Sequence, residues 1–274
     1  MARDGASAFL TGGLPFNAIG SGTPVIVLQG LTFENRALNG MDLRFSVSPY
    51  LALAKHRRVY VVNRRPGMAR GTSLSEMAGH YATAIEADFE PPVDVIGNST
   101  GSSIAFYLAA EHAQLVRRLV IQDGAPRPTE AAREFSETVG RYAEAGDWGA
   151  VSRIFIGMVQ PDNVLGRAAV RLFAPLLARS APVDPTDMLA ILEAEEGHDF
   201  TPRLGEITAP TLVLSGELDP FCGEALARET AAGIPGARAI VYAGRAHGVR
   251  GPELERDLVD FLVGGQYGTG AARP

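Results

Sequence analysis

Cysteine is almost absent from this chain: Cys222 is the only one among 274 residues. One thiol closes no internal disulfide, which excludes a disulfide-stapled secreted scaffold. Lysine is just as scarce, with Lys55 standing alone among 25 basic residues. Positive charge is not in excess either. The 31 acidic residues leave a net charge of −6, and with a pI near 5.4 the chain lacks the basic face that nucleic-acid binding needs. Long apolar runs are missing too. Val25–Leu28 and Leu212–Leu214 are strand-sized, far short of the roughly 18 residues of a membrane span. The opening MARDGASAFLTGGLPF holds no signal-peptide core, so a cytoplasmic enzyme or binding protein is expected.

What is present is ordinary globular composition, 46% hydrophobic and 20% charged. At about 150 residues per domain, the length allows one large domain or two small ones, with enough chain to bury a core unaided. Short apolar runs recur at Val25–Leu28, Val59–Val62, Val93–Ile96, Leu119–Ile121, Thr211–Leu214 and Ala239–Tyr242. Their lack of alternation suits strands buried on both faces of a parallel sheet. Helical spacing separates them over Ser46–Lys55, Leu74–Asp88, Ser102–Glu111, Glu224–Ala231 and Pro252–Val263. Strand alternating with helix defines an α/β fold. Residues 7–20 read as an antiparallel hairpin around Gly12 and Gly13. Between Ala125 and Pro202 the pattern is helical only: Thr129–Ala145, Trp148–Met158, Asn163–Ala178 and Thr186–Glu195, punctuated by Gly146, Gly157, Pro161 and the segment 181–185. The expected organisation is a core of residues 1–124 and 203–264, a helical cap of residues 125–202, and a Gly-rich flexible tail of residues 265–274. There are no internal repeats.

The strongest chemical signal is Val95-Ile-Gly-Asn-Ser-Thr-Gly101, a G-x-S-x-G centred on Ser99 between a buried strand and an apolar helix. Glycines on either side let the chain turn sharply, leaving the hydroxyl exposed at the strand's carboxyl end. A serine needs a base at neutral pH. Of the five histidines, His56 lies in a charged loop, and His80 and His112 lie on helices flanking the sheet. His198, in the return segment of the insertion, is a candidate pocket residue. His247 falls in the loop after the last strand, at the carboxyl edge where open α/β sheets carry their ligands, and is the expected base. Asp219 follows the preceding strand and would orient the imidazole. Asp123 is the rival acid, although capping the start of the helical insertion suits it better. Two oxyanion donors are expected, the backbone N–H groups of Thr100 and Leu31, with Gly30 allowing the turn.

In these motifs the chain resembles the α/β-hydrolase superfamily, specifically its capped esterases, lactonases and cofactor-free haloperoxidase-like enzymes. Leu28-Gln-Gly30, Asn63-Arg-Arg-Pro-Gly67, Gly97–Gly101 and the pair Asp219 and His247 carry the resemblance, which spans about residues 23–263. It implies a mostly parallel central sheet flanked by helices, with the cap inserted after the sixth strand. Two positions depart from the family pattern: Gln29 replaces the usual histidine of the oxyanion loop, and Asn63 replaces an aspartate. Serine at the elbow argues against the dehalogenases and epoxide hydrolases of the superfamily, which use aspartate. The expected activity is cleavage of a small or medium carboxylic ester, thioester or lactone through an acyl-enzyme. The alternative is the same fold and triad used without acyl turnover, as a lyase, a C–C bond hydrolase or a small-ligand-binding protein.

The substrate is expected to be a small, partly hydrophobic acyl compound, contacted by Gln29, Gly30, Asn98 and Trp148, with Thr100 beside the nucleophile. Eleven large apolar residues punctuate the insertion, from Phe135 to Leu192. Most are expected to pack it onto the sheet and a minority to line a pocket. Its arginines, at 127, 133, 141, 153, 167, 171 and 179, read as a solvated face. Cys222 reads as a buried bystander. No cluster has metal-ligand spacing and Gly20-Ser-Gly22 lacks the rest of a dinucleotide fingerprint, so neither metal nor cofactor is implied.

Overall fold

Apolar side chains on both faces of the short strands build one eight-stranded sheet. The computed structural model describes residues 8–158, 164–179, 181–182 and 184–264. Strands β1 (Ala8–Leu10) and β2 (Leu14–Gly20) form the hairpin expected around Gly12 and Gly13, followed by β3 (Pro24–Leu28), β4 (Arg58–Val62), β5 (Val93–Asn98), β6 (Val116–Gln122), β7 (Thr211–Gly216) and β8 (Arg238–Tyr242). The spatial order is β1-β2-β4-β3-β5-β6-β7-β8. β2 runs antiparallel to β1 and β4, and every other pairing is parallel. The chain therefore steps outward from β3 to β4 and reverses to β5 on the other side. The crevice at such a switch point lies beyond the carboxyl ends of β3 and β5, where this fold class holds ligands.

Successive residues of one strand enter two separate cores. Ile26 and Leu28 join Val95, Leu119 and Val213 beneath α2 (Leu74–Asp88), α3 (Thr100–Glu111) and α8 (Glu224–Gly233). Val25 and Val27 join Ile96, Val120 and Leu212 beneath α9 (Pro252–Leu262), whose Leu254, Leu258 and Phe261 complete that layer. Burial on both sides removes the polar alternate of a half-exposed strand. Helix α2 starts on a capping box: Ser73 accepts from the Glu76 N–H while Glu76 accepts from the Ser73 N–H. The helix expected at Ser46–Lys55 is displaced. Instead α1 covers Gly40–Val47 and gives way to 3-10 turns at Ser48–Tyr50 and Leu53–Lys55. Pro49 has no N–H to continue an α-helical ladder, which accounts for the break.

Among the described residues, four α-helices separate β6 from β7: α4 (Glu130–Glu144), α5 (Trp148–Met158), α6 (Val164–Ala178) and α7 (Thr186–Glu196), followed by a 3-10 turn at Thr201–Glu206. Asn163, Pro161 and Val183, expected at the ends of these elements, and the tail from residue 265 lie outside the described residues. The insertion has its own apolar cluster, with Val139, Val151, Met188 and Leu192 gathered around Phe33 from the loop after β3. It is also tied to the core through Asp187, whose carboxylate accepts from the N–H groups of Gly67 (2.8 Å), Met68 (3.0 Å) and Asn35 (3.3 Å). Thr129, and not Asp123, caps α4 by accepting from the Ala132 N–H. Asp123 lies too far ahead of the helix and bonds Val249, in the loop after β8, instead. Among the described residues, no helix is long and apolar enough to cross a membrane.

Candidate active site

Ser99 sits between β5 and α3 with φ 53° and ψ −122°, a backbone conformation that a side-chain-bearing residue holds only under constraint. The constraint is visible. The Ser99 N–H donates to the Gln122 carbonyl at 2.9 Å, and the Ser102 hydroxyl donates to the Gly97 carbonyl at 2.8 Å. Both flanking glycines are required by contact: a Cβ on Gly101 would collide with the Leu28 carbonyl, and one on Gly97 with Ser102 and Ala105. The turn presents the Ser99 hydroxyl at the switch-point crevice.

There Ser99 Oγ lies 3.0 Å from His247 Nε2, and His247 Nδ1 lies 2.7 Å from Asp219 Oδ2. A carboxylate accepting from Nδ1–H fixes the tautomer in which Nε2 accepts the serine proton. Burial alone would push the His247 imidazole down. The bond and charge of Asp219, reinforced by Asp123 and Glu195, outweigh it and leave the pKa raised. Burial likewise opposes ionisation of Asp219, yet donors from His247, Cys222 and the Phe221 N–H hold its carboxyl below the usual range. Phe221 also stands edge-on against the imidazole, 5.0 Å between centroids.

Cys222 is buried as expected but is no bystander. Its Sγ donates to Asp219 Oδ2 at 3.0 Å, and burial beside that carboxylate pushes the thiol pKa well up. Asp219, Cys222 and His247 place three atoms of metal-ligand type within 4.8 Å, a grouping that spacing along the chain does not reveal. These atoms are hydrogen-bonded to one another through Asp219 Oδ2. Asp123 occupies a different place. At φ 51° its Oδ2 accepts from the Val249 N–H at 3.0 Å, so it fastens the loop that carries His247. Burial raises its pKa to about 6.

The loop after β3 is held from behind. Arg64, 1% exposed, donates through Nη1 to the Gln29 carbonyl at 2.9 Å and through Nη2 to the Gly30 carbonyl at 3.1 Å. Within a trans peptide the C=O of Gly30 and the N–H of Leu31 point in opposite directions. Anchoring that carbonyl therefore turns the Leu31 N–H away from the guanidinium. Gly30 closes against the nucleophile, since a Cβ there would come within 3.2 Å of Ser99 Cβ. Thr100 opens α3, so its N–H has no acceptor inside the helix. The departure at Asn63 also has a reason. Its amide donates to the carbonyls of Glu34 and Arg36 at 3.3 and 3.2 Å, contacts an aspartate could not make. Gln29 donates to Ser46 Oγ at 3.2 Å, while its Oε1 is buried without a partner.

These groups border a cavity of about 710 Å³ that includes Gln29, Gly30, Leu31, Asn98, Ser99, Thr100 and His247. His198 borders it too, with burial pushing its pKa down to about 4. His56, His80 and His112 do not. Trp148 is not in the wall: it is turned onto Phe33, 5.4 Å between ring centroids, inside the insertion's own cluster. The balance of the insertion's apolar residues also differs from expectation. Seven of the eleven, among them Phe135, Phe155 and Phe173, border the cavity. Six of the seven lie on α5 and α6, and of these Phe155 and Leu177 also pack against the insertion's own cluster. Arg127 and Arg133, expected in solvent, reach the rim, with Arg127 paired to Glu229 at 2.6 Å. Glu195 has no signal in the sequence. Its carboxyl bonds Ser103 at 2.7 Å at the cavity wall, and burial pushes its pKa to about 7.

A strained serine at a strand–helix turn, bonded to a histidine at the same sheet edge, is the layout of the α/β hydrolases. The chain belongs to the alpha/beta hydrolase family, whose sequence profile matches residues 29–260. It is similar to the 2-hydroxy-6-oxononadienedioate/2-hydroxy-6-oxononatrienedioate hydrolase of Cupriavidus pinatubonensis, 28% identical over 69% of each chain. It is also similar to the pimeloyl-(acyl-carrier protein) methyl ester esterase of Neisseria meningitidis, 30% identical over 61% of this chain and 66% of that one. Among solved structures, a hydrolase from Pseudomonas aeruginosa superposes with a TM-score of 0.77 at 22% identity, covering 95% of this chain and 100% of that one. The enol-lactonase from Burkholderia xenovorans gives 0.75 at 22%, covering 93% and 98%. At that identity the structural likeness speaks for the fold.

Proposed function

We propose that this chain is a serine hydrolase that cleaves a small or medium carboxylic ester, thioester or lactone through an acyl-enzyme on Ser99. The observation that carries the reading is the unbroken line from Ser99 Oγ to His247 Nε2 (3.0 Å) and from His247 Nδ1 to Asp219 Oδ2 (2.7 Å). His247 takes the Ser99 proton as Oγ attacks the substrate carbonyl. The N–H groups of Leu31 and Thr100 stabilise the tetrahedral oxyanion. Imidazolium, held by Asp219, gives its proton to the departing alcohol, thiol or, in a lactone, the ring oxygen. Water, deprotonated by His247, then releases the acid and regenerates Ser99. In the same reading, residues 125–202 act as a cap whose α5 and α6 supply the apolar side of the acyl-binding cavity.

The test is labelling with a fluorophosphonate, located by peptide mass spectrometry, beside turnover of a panel of acyl esters. Rapid labelling confined to Ser99, absent in Ser99→Ala, and saturable ester hydrolysis are expected. Well-folded protein that neither labels nor hydrolyses any ester would overturn the reading in favour of a non-acylating site.

A further inference from the structure

Helix α6 serves the cavity with one side, where Phe173, Leu176 and Leu177 border it. Its other side is exposed, and it is apolar. Val164, Leu165 and Leu172 stand 73%, 80% and 64% exposed. Four of the nine large apolar side chains exposed among the described residues, these three and Phe173, are on this one helix. At about 100° per residue, Val164, Ala168, Leu172 and Pro175 fall in one stripe, with Leu165 beside it and Arg167 and Arg171 along its flank. The same arrangement shows in space: Val164, Arg167, Ala168, Arg171 and Leu172 line one open surface groove. Arg179 follows the last turn and is exposed as well. From Val164 to Arg179 the sequence holds three arginines, no acidic residue and no neutral side chain that hydrogen-bonds.

Exposed apolar surface gathered in one place marks an interaction site, and the chemistry of this face selects what covers it. A second copy of the chain, meeting the same patch across a two-fold axis, would set arginines against arginines with no carboxylate on the face to answer them. A specific protein interface carries about one hydrogen bond per 100–200 Å². Here guanidinium groups are the only side-chain donors and there is no side-chain acceptor. A fluid lipid surface asks for no directed acceptors: aliphatic side chains enter the edge of the acyl layer while arginines stay level with the headgroups. The chain as a whole carries a charge of −6, so attraction to an anionic surface must come from this local group of arginines. We infer that the outer face of α6 docks the protein on the surface of an anionic lipid bilayer. Phe173 is exposed and also borders the cavity, so docking through α6 brings that edge of the cavity within about one helix diameter (~10 Å) of the lipid. The inference does not depend on the chemistry at Ser99.

The test is co-sedimentation of the full chain with large unilamellar vesicles, read as the fraction bound against lipid concentration. Phosphatidylcholine with about one-third phosphatidylglycerol is compared with phosphatidylcholine alone, at low and at high salt. Binding is expected on the anionic vesicles at low salt, weaker by about tenfold or more on neutral vesicles and at high salt. Arg171→Gln with Arg179→Gln is expected to weaken it about 20-fold, roughly fivefold per charge. Leu165→Ser with Leu172→Ser is expected to weaken it about tenfold or more. All four side chains are exposed, and melting curves confirm that each variant is folded. Phe9→Ser, at an exposed apolar residue of β1, is expected to bind as the unaltered chain does. No binding to anionic vesicles at low salt, equal binding to neutral ones, or α6 variants that bind undiminished would each overturn the docking surface. So would a dimer, seen by analytical ultracentrifugation without lipid, that Leu172→Ser dissociates: the face would then belong to a second copy.

Discussion

Asp219 Oδ2 is shared between two donors, His247 Nδ1 at 2.7 Å and Cys222 Sγ at 3.0 Å. Every hydrogen bond an oxygen accepts draws on the charge it offers the next donor, so the thiol moderates the hold of Asp219 on the imidazole. Removing the thiol strengthens that hold and stabilises imidazolium. In Cys222→Ala the acid limb of kcat/KM against pH is expected to move to higher pH by a few tenths of a unit. A limb that stays in place would show that the thiol has no part in tuning the base, and one that moves to lower pH would show that it weakens the imidazolium less than it supports it.

In the unaltered protein the same limb should have its midpoint above 6.5, because the His247 pKa is raised and only neutral imidazole accepts the Ser99 proton. Activity therefore rises with pH through that midpoint. Asp219→Asn removes the main cause of the rise: the midpoint is expected to fall and kcat to drop by about 10⁴. Asp123→Asn keeps an oxygen for the Val249 N–H and tolerates a positive φ, so a loss under about tenfold is expected. Parallel pH profiles of the two variants check both statements, and the reverse ranking would make Asp123 the acid.

Arg64 anchors two carbonyls at the back of the loop after β3, which the proposed reaction uses to hold its oxyanion. Lysine offers a compact charge where the planar fork is used. For Arg64→Lys, kcat is expected to fall about 10- to 100-fold with KM changed far less, since an oxyanion donor acts on the transition state and not on bound substrate. Steady-state kinetics on an ester, with melting curves to confirm folding, make the comparison. A loss carried in KM would assign Arg64 to substrate binding instead.

Two glycine substitutions are expected to have opposite signs. Gly101→Ala drives a methyl group into the Leu28 backbone at the crossing of β3 and α3, and soluble, folded protein is not expected. Gly157 lies in α5 with open space where a methyl group would stand, so Gly157→Ala should stabilise by about 0.5–1 kcal/mol. Thermal melts of the two proteins, run side by side, test both.

Much of this architecture is legible in the sequence because its signals are local. Each parallel strand is a short run of aliphatics, and α2 runs over Leu74–Asp88, the span its spacing predicts. Ser99, Asp219 and His247 announce themselves because each follows a strand, and the carboxyl ends of parallel strands converge. The roles of Arg64, Glu195 and Cys222 are not legible in the same way. Arg64 reaches back to Gly30, and Glu195 meets Ser103 across 92 residues, with no local pattern to mark either contact. Cys222 is close to Asp219 in sequence, but only the turn that brings both back toward β8 makes the thiol a donor. Trp148 is absent from the cavity wall for a similar reason: its ring is turned onto Phe33, which comes from a distant loop.

Asp187 ties the start of α7 to three backbone N–H groups in two loops of the sheet. None of those donors depends on side-chain identity, so the tie survives changes in the residues that supply them. It divides the insertion into a fixed end, bearing Glu195 and His198, and a span formed by α5 and α6 that contributes mainly apolar bulk. In the proposed hydrolase, substitutions in α5 and α6 can therefore reshape the apolar side of the cavity while the end bearing Glu195 and His198 keeps its register against the sheet.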